Sequence, residues 1–207
     1  MFERVPEPEL MLDKEQCETY NQEFIDDQSI VEDFVNSYKQ CIGLDQGSVV
    51  DLGSGSCNFI IALANAYPGL TFTCYEASDE MIKIATNNIR SAGLADRIQL
   101  VQQDFFNATG QFDVAIANRV LHHVNDTESF WNLISKLGSK VLVCDLERPY
   151  TSEFLNYTLP ADFINSLKSA YTVPEVSDQI VNYDYTIEKK SLPADLSRFT
   201  VFTKKDK

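Results

Sequence analysis

No run in this 207-residue sequence approaches the ~20 consecutive apolar residues that a helix needs to cross a bilayer, so no membrane partner is expected. The opening "MFERVPEPEL" also lacks the basic-then-apolar pattern of a secretory signal. The five cysteines (Cys17, Cys41, Cys57, Cys74 and Cys144) are odd in number, scattered, and form no C-x-x-C pair. That excludes a disulfide framework and predicts reduced, mostly buried thiols in a cytoplasmic protein. The two histidines, His122 and His123, are neighbours, and adjacency cannot reproduce the spaced ligand patterns of common zinc sites, so no metal is expected. Basic residues are scarce, 17 against 31 acids, for a formal net charge of −14. Eleven of the acids fall in residues 1–33 against Arg4 and Lys14 alone. Such a surface repels phosphate backbones, and no basic patch interrupts it, so nucleic acid is not an expected partner. The acidic start reads instead as a solvated face that aids solubility.

What remains suits a single α/β domain, since 44% of the residues are hydrophobic and no repeat or low-complexity stretch divides the chain. Residues 13–25 place Cys17, Tyr20 and Phe24 on one helical stripe, and 28–42 do the same for Val31, Phe34, Val35 and Tyr38. From residue 48 the pattern alternates. Strands are expected at 48–51, 70–75, 97–102, 112–117 and 140–145, separated by helices at 57–67, from Ser78 to Gly93, and from Asp126 to Gly138. Pro160 opens a further helix with Phe163, Ile164, Leu167 and Tyr171 on its apolar face, another follows Pro174, and "YDYTIEKK" and "RFTVFTKK" form a hairpin through a Pro-containing loop. The expected fold is a Rossmann-like, doubly wound sheet of seven strands, mostly parallel with a C-terminal antiparallel hairpin, plus N-terminal helices. Residues 1–45 would be a helical lid, 46–146 a ligand-binding core, 147–182 a helical cap and 183–205 the hairpin.

In such a sheet, ligands bind beyond the carboxyl ends of the strands where the strand order reverses. "VVDLGSGSCNFI" (49–60) puts Gly53, Ser54 and Gly55 there, after Asp51. Missing side chains let backbone approach a ligand, and the next helix aims its N–H groups inward. Glu76 follows the second strand, where its carboxylate can accept from two ribose hydroxyls. Asp104, beside Phe105, follows the third, within reach of an adenine amino group. A dinucleotide fingerprint would need a third glycine where Asn58 stands, and a kinase-type phosphate loop would need a Gly-Lys-Ser/Thr sequence that does not follow. The anchors point to a nucleoside without a pyrophosphate.

"VVDLGSGS", "CYEASDEMIKIA", "QQDFF" and "FDVAIANRVLHHV" together resemble four ordered motifs of the class I S-adenosylmethionine-dependent methyltransferases, over about residues 47–145. The flanks "RVPEPELM" and "DFINSLKSAYTVPEV" look like a bacterial branch of small methyltransferases. One departure stands out: Cys57 occupies the family's usual third glycine, where its side chain is expected to narrow the space beside the methionine end. The resemblance implies S-adenosyl-L-methionine as cofactor and S-adenosyl-L-homocysteine as product. It implies that Asp51, Gly53, Ser54 and Gly55 shape the methionine side and that Glu76 holds the ribose. Ala77 and Met81 would pack near the adenine, Gln103, Asp104 and Phe105 would line it, and Asn118 would lie beneath the sulfonium. It also implies a latch in which Tyr20 closes over the cofactor against His123, which could take a proton from the acceptor. Tyr20, Phe24, Tyr150, Phe154, Tyr157 and Phe163 would roof a pocket for a small, partly apolar acceptor. Two alternatives stay open: a nicotinamide-dependent oxidoreductase, and a nucleoside-binding regulatory module without turnover, which Cys57 would favour.

Overall fold

The computed structural model describes residues 3–7, 11–151, 153–192 and 196–204. Two helices, α1 (Lys14–Asp26) and α2 (Gln28–Cys41), precede β1 (Gln46–Leu52), and the chain then runs α3 (Asn58–Ala66), β2 (Gly69–Glu76), α4 (Asp79–Ser91), β3 (Ile98–Gln102), β4 (Phe112–Asn118), α5 (Thr127–Leu137) and β5 (Gly138–Glu147). After β5 come α6 (Ala161–Ser169), α7 (Val173–Gln179), β6 (Tyr185–Ser191) and β7 (Ser197–Thr203). The helix starts have local causes. The side chains of Asp13, Asp27, Ser78 and Asp126 each accept from an amide of the first turn of α1, α2, α4 and α5. Thr172 and Glu175 close a reciprocal capping box at α7.

The strands form one seven-stranded sheet in the order β3-β2-β1-β4-β5-β7-β6. Pairings from β3 through β5 are parallel; β7 pairs antiparallel with both β5 and β6. The winding reverses between β1 and β4, which opens a crevice at their carboxyl ends. Phe34 and Tyr38 of α2, Ile60 and Leu63 of α3, and Ala85 and Ile89 of α4 pack on one face; Phe130, Trp131 and Ile134 of α5 and Val176 of α7 pack on the other. The β3–β4 crossover departs from the alternating pattern: a 3-10 turn, Phe105–Asn107, stands where a helix would complete it.

Beyond the sheet, Leu146, Phe154, Leu167 and Leu196 form a small separate core. Tyr171 lies past the end of α6 rather than on its apolar face, and its hydroxyl donates to the Val124 carbonyl. The N-terminal residues 3–7 cross from α6 to the segment after β4. Val5 N–H donates to the Lys168 carbonyl, and the Arg4 guanidinium donates to the carbonyls of Ser169, His122 and Val124 while lying 4.1 Å over the Tyr171 ring. The proline of the expected hairpin loop and part of the "RVPEPELM" flank lie outside the described residues.

Candidate active site

The loop after β1 is shaped by its own backbone. Gly53 and Gly55 both have positive φ, 76° and 52°, and a Cβ on Gly53 would lie 2.7 Å from a Val120 methyl, so only glycine lets this turn pass. The amides of Gly53 and Ser54 both donate to the Tyr75 carbonyl at the end of β2. One residue on, the Glu76 carboxylate accepts from Gly55 N–H and Ser78 N–H, each at 2.8 Å. Glu76 therefore ties the glycine loop to the start of α4 and keeps further lone pairs for a ligand. Asp104 caps the 3-10 turn by accepting from Phe106 N–H at 2.9 Å. Gln103 donates through Nε2 to the Asn107 carbonyl and is exposed.

These residues open onto a cavity of about 510 Å³ at the carboxyl ends of the strands. Of the residues singled out in the sequence, Tyr20, Gly53, Gly55, Glu76, Ala77, Met81, Asp104, Phe105 and His123 line it. Asp51, Ser54, Gln103 and Asn118 stand behind or beside that wall. Asp51 is buried with no hydrogen-bond donor to its carboxyl among the described residues, and burial, with Glu76 nearby, pushes its pKa up to about 8. Asn118 leaves its buried Nδ2 without a partner among the described residues.

Cys57 departs from expectation. It caps α3 with φ 62°, the left-handed geometry that explains why glycine is usual there. Its side chain is fully buried in the core beside Cys74, not in the cavity wall, so it does not narrow the methionine side. The aromatic roof is also smaller than expected. Tyr20 and Phe163 line the cavity, and Phe24 stacks edge-on behind Tyr20 at 4.7 Å. Phe154 is buried in the separate core, Tyr157 is exposed, and the Tyr150 hydroxyl donates to Glu147.

The far end of the cavity holds a group of side chains that the sequence reading did not assemble. His122 is buried; its backbone N–H donates to Asp145 Oδ2 at 2.9 Å, and its ring Nδ1 lies 2.7 Å from Oδ1. Burial resists ionisation of Asp145, but the facing imidazole and these hydrogen bonds outweigh it and hold the pKa low. An ionised Asp145 only accepts, so Nδ1 of His122 donates in this pair and Nε2 is turned away from Asp145, toward Glu7. His123, its ring 4.1 Å from that of His122, is pushed down to about 3 by burial and by its neighbour. Glu7 approaches both rings, and burial pushes its pKa up. No hydrogen bond joins Tyr20 to His123 among the described residues. Arg119, the other non-glycine residue with positive φ (59°) among the described residues, lines the cavity with its guanidinium 5.4 Å from the Phe24 ring centre. Asp145 had a signal in the sequence: like Asp51, it is a carboxylate near the end of an otherwise apolar strand. Glu7 and Arg119 had none.

The methyltransferase-domain family matches residues 50–139 of the chain. A release factor glutamine methyltransferase from Gloeobacter violaceus is 32% identical over 93 residues, 44% of this chain and 32% of that protein. The chain thus spans about a third of the length of this curated relative. Among solved structures, a SAM-dependent methyltransferase from Aquifex aeolicus superposes with a TM-score of 0.69 at 14% identity, over 92% of this chain and 97% of that one. An O-methyltransferase family protein from Burkholderia thailandensis gives 0.67 at 14% identity, over 92% and 60%. With the sheet order, the glycine loop after β1 and the acid at the end of β2 already in place, residues 50–139 form a methyltransferase domain of the class I, S-adenosylmethionine-dependent type.

Proposed function

We propose that this protein transfers the methyl group of S-adenosylmethionine to a small, partly apolar acceptor. The observation that carries this reading is the continuity of one cavity, from Gly53, Gly55, Glu76 and Asp104 at one end to His122, His123 and Phe163 at the other. The residues present fit the nucleoside. The loop admits no Cβ at Gly53, Glu76 keeps free lone pairs at the ribose position, and Asp104 stands beside Phe105 where a base would lie. Ala77 and Met81 would flank that base. Asp51, Ser54 and Asn118 would support the methionine side from behind, and Gln103 would hold the adenine-side turn. Tyr20, over Gly55, would cover the methionine end.

The cofactor supplies an electrophilic methyl on sulfur. The protein's part is to align the acceptor with that methyl and exclude water, for which the lid helix α1 and residues 3–7 are placed. Where the acceptor must lose a proton, His122 is better prepared than His123. Asp145 fixes its tautomer and ring, leaving Nε2 free toward the cavity. His123 is neutral across the physiological range and has no such orienting partner. The regulatory-module alternative rested on Cys57, whose thiol lies in the core. The nicotinamide alternative has no observation in its favour.

Some relatives carry names that specify protein or RNA acceptors, such as the release factor enzyme above. The small-molecule reading for this chain rests on its concave, partly aromatic cavity and on its acidic charge. The test is calorimetry with S-adenosylmethionine, S-adenosylhomocysteine and NAD, followed by a screen for S-adenosylhomocysteine release over phenols, amines and carboxylates. Binding of both S-adenosyl compounds and turnover of at least one small acceptor are expected. An NAD complex without S-adenosyl binding would overturn the reading. With an acceptor in hand, His122→Ala should reduce turnover more than His123→Ala.

A further inference from the structure

Glu7, His122 and His123 come from opposite ends of the domain, yet one donor atom of each lies within 4.8 Å of the others. Glu7 Oε2 is 3.8 Å from His122 Nε2 and 3.6 Å from His123 Nδ1. Both separations exceed a hydrogen bond, so the three groups face one another without being joined. Three donors bound tetrahedrally to one ion at ~2.0–2.1 Å would stand about 3.3–3.5 Å apart. The two Glu7 distances exceed that spacing by roughly half an ångström or less, while the two imidazole nitrogens, within 4.8 Å of each other, would have to draw together by about an ångström.

From this geometry we infer that Glu7, His122 and His123 form a binding site for a divalent first-row transition cation of the zinc type. A second observation points the same way. Asp145 holds His122 through Nδ1, which fixes the tautomer, orients the ring and makes Nε2 the better ligand, as outer carboxylates do for metal-bound histidines. Two imidazoles and one carboxylate suit zinc, cobalt or nickel rather than magnesium or calcium, which prefer all-oxygen sets. Three protein ligands leave a coordination position open, and here it faces the cavity, since all three residues line it. The expectation that no metal binds rested on spacing along the chain; the third ligand comes from 115 residues before His122. Ser166 and Ser169 hydroxyls donate to the same Glu7 oxygen and steady it. A cation and an acceptor's proton would compete for the His122 Nε2 lone pair, so metal loading would replace, not assist, that residue's use as a base.

The test is titration of chelator-treated full-length protein with cobalt(II), followed by its visible absorption, and with zinc by calorimetry. One cation per chain is expected, with no near-ultraviolet thiolate band, because the five cysteines are buried elsewhere. Glu7→Gln and His123→Ala should each weaken binding about tenfold or more, and Asp145→Asn by about 10–100-fold. Glu7 is half-buried, and a glutamine there keeps an oxygen that can accept from Ser166 and Ser169, so Glu7→Gln stays informative if His122 or Asp145 variants fail to fold. Absence of one-to-one binding, or binding unchanged in both Glu7→Gln and His123→Ala, would overturn the site. S-adenosylhomocysteine binding measured on the same samples reports the proposed function separately.

Discussion

Asp51 and Asp145 lie near the carboxyl ends of β1 and β5, each 4% exposed or less, yet their carboxyls are in opposite electrostatic states. Asp51 receives no hydrogen bond among the described residues, and desolvation lifts it to about 8. Asp145 receives the His122 ring and amide, and the Leu146 amide, and is held below the usual carboxylate range. Partners, not depth, decide which buried acid carries charge. The contrast extends to the two ends of the cavity. The cofactor end is organised by backbone amides close in sequence or on neighbouring strands. The histidine end is organised by side chains that meet across more than a hundred residues, such as Glu7 with the His122 and His123 rings.

Breaking the paired acid should have the largest effect. Asp145→Ala would strand the His122 amide and ring N–H and the Leu146 amide in a buried site, a loss of about 3 kcal/mol or more. In a domain of this size that lowers the melting temperature by roughly 10 °C. Because the folded pKa of Asp145 is depressed, its stabilisation is present above the unfolded value and is lost as pH falls through the folded one. The difference in melting temperature between wild type and variant should therefore shrink in acid. A variant that melts with the wild type at pH 7 would show the pair to be energetically idle.

At the cofactor end, Glu76→Ala should act on two quantities at once. It removes the acceptor for Gly55 N–H and Ser78 N–H, which costs about 1–2 kcal/mol of stability. Calorimetry should also show S-adenosylhomocysteine binding weakened by about 1.5–3 kcal/mol, the range for hydrogen bonds to a charged group. From the loop position alone, little loss of stability is expected; the two amides that Glu76 holds revise that. Glu76→Gln, which keeps one oxygen acceptor, should lie between the two.

These two ends also differ in how far the sequence reveals them. The sheet, its order-reversing crevice and the glycine loop are written locally: an apolar run, an acid, two glycines one residue apart, and a cap such as Ser78. That is why Gly53, Gly55, Glu76, Asp104 and Phe105 fall on one cavity, whose lining also includes Ala77 and Met81, expected there from the family resemblance alone. The histidine end has no such local grammar. Glu7 reads as one more acid in a solvated run, and only the path of residues 3–7 across α6 brings it to the imidazoles. Choosing between His122 and His123 requires knowing which ring faces β5, and adjacent residues in a 3-10 turn give no sequence clue to that. Arg119 and Cys57 share a left-handed backbone that nothing in their residue type announces.

Asp51→Asn sharpens the comparison from the unpaired side, with an effect of opposite sign that appears only as the pH rises. Because its folded pKa is raised, the folded state keeps a proton that the unfolded state has lost, and stability falls as pH rises from about 4 to about 8 before levelling off. An asparagine carries no such penalty. The variant should match the wild type near pH 4 and gain melting temperature over it progressively, by about 10 °C where the whole shift is expressed, as the pH approaches 8. A gap independent of pH would mean that Asp51 is ionised in the fold despite its burial.

The smallest effect is expected at Cys57. Its φ of 62° costs a side-chain-bearing residue about 1 kcal/mol, which Cys57→Gly would recover. Against this stand the greater freedom of glycine in the unfolded chain, up to about 1 kcal/mol, and the loss of a buried thiol packed beside Cys74. These terms oppose one another, so stability should change by no more than about 1 kcal/mol in either direction. Cofactor affinity should not change, because the side chain points into the core while Gly53 and Gly55 alone present the loop to the cavity. Calorimetry with S-adenosylhomocysteine checks this directly. A tenfold change in affinity at unchanged stability would show that the thiol, from inside the core, sets the position of the loop, and that the cofactor end is not organised by its backbone alone.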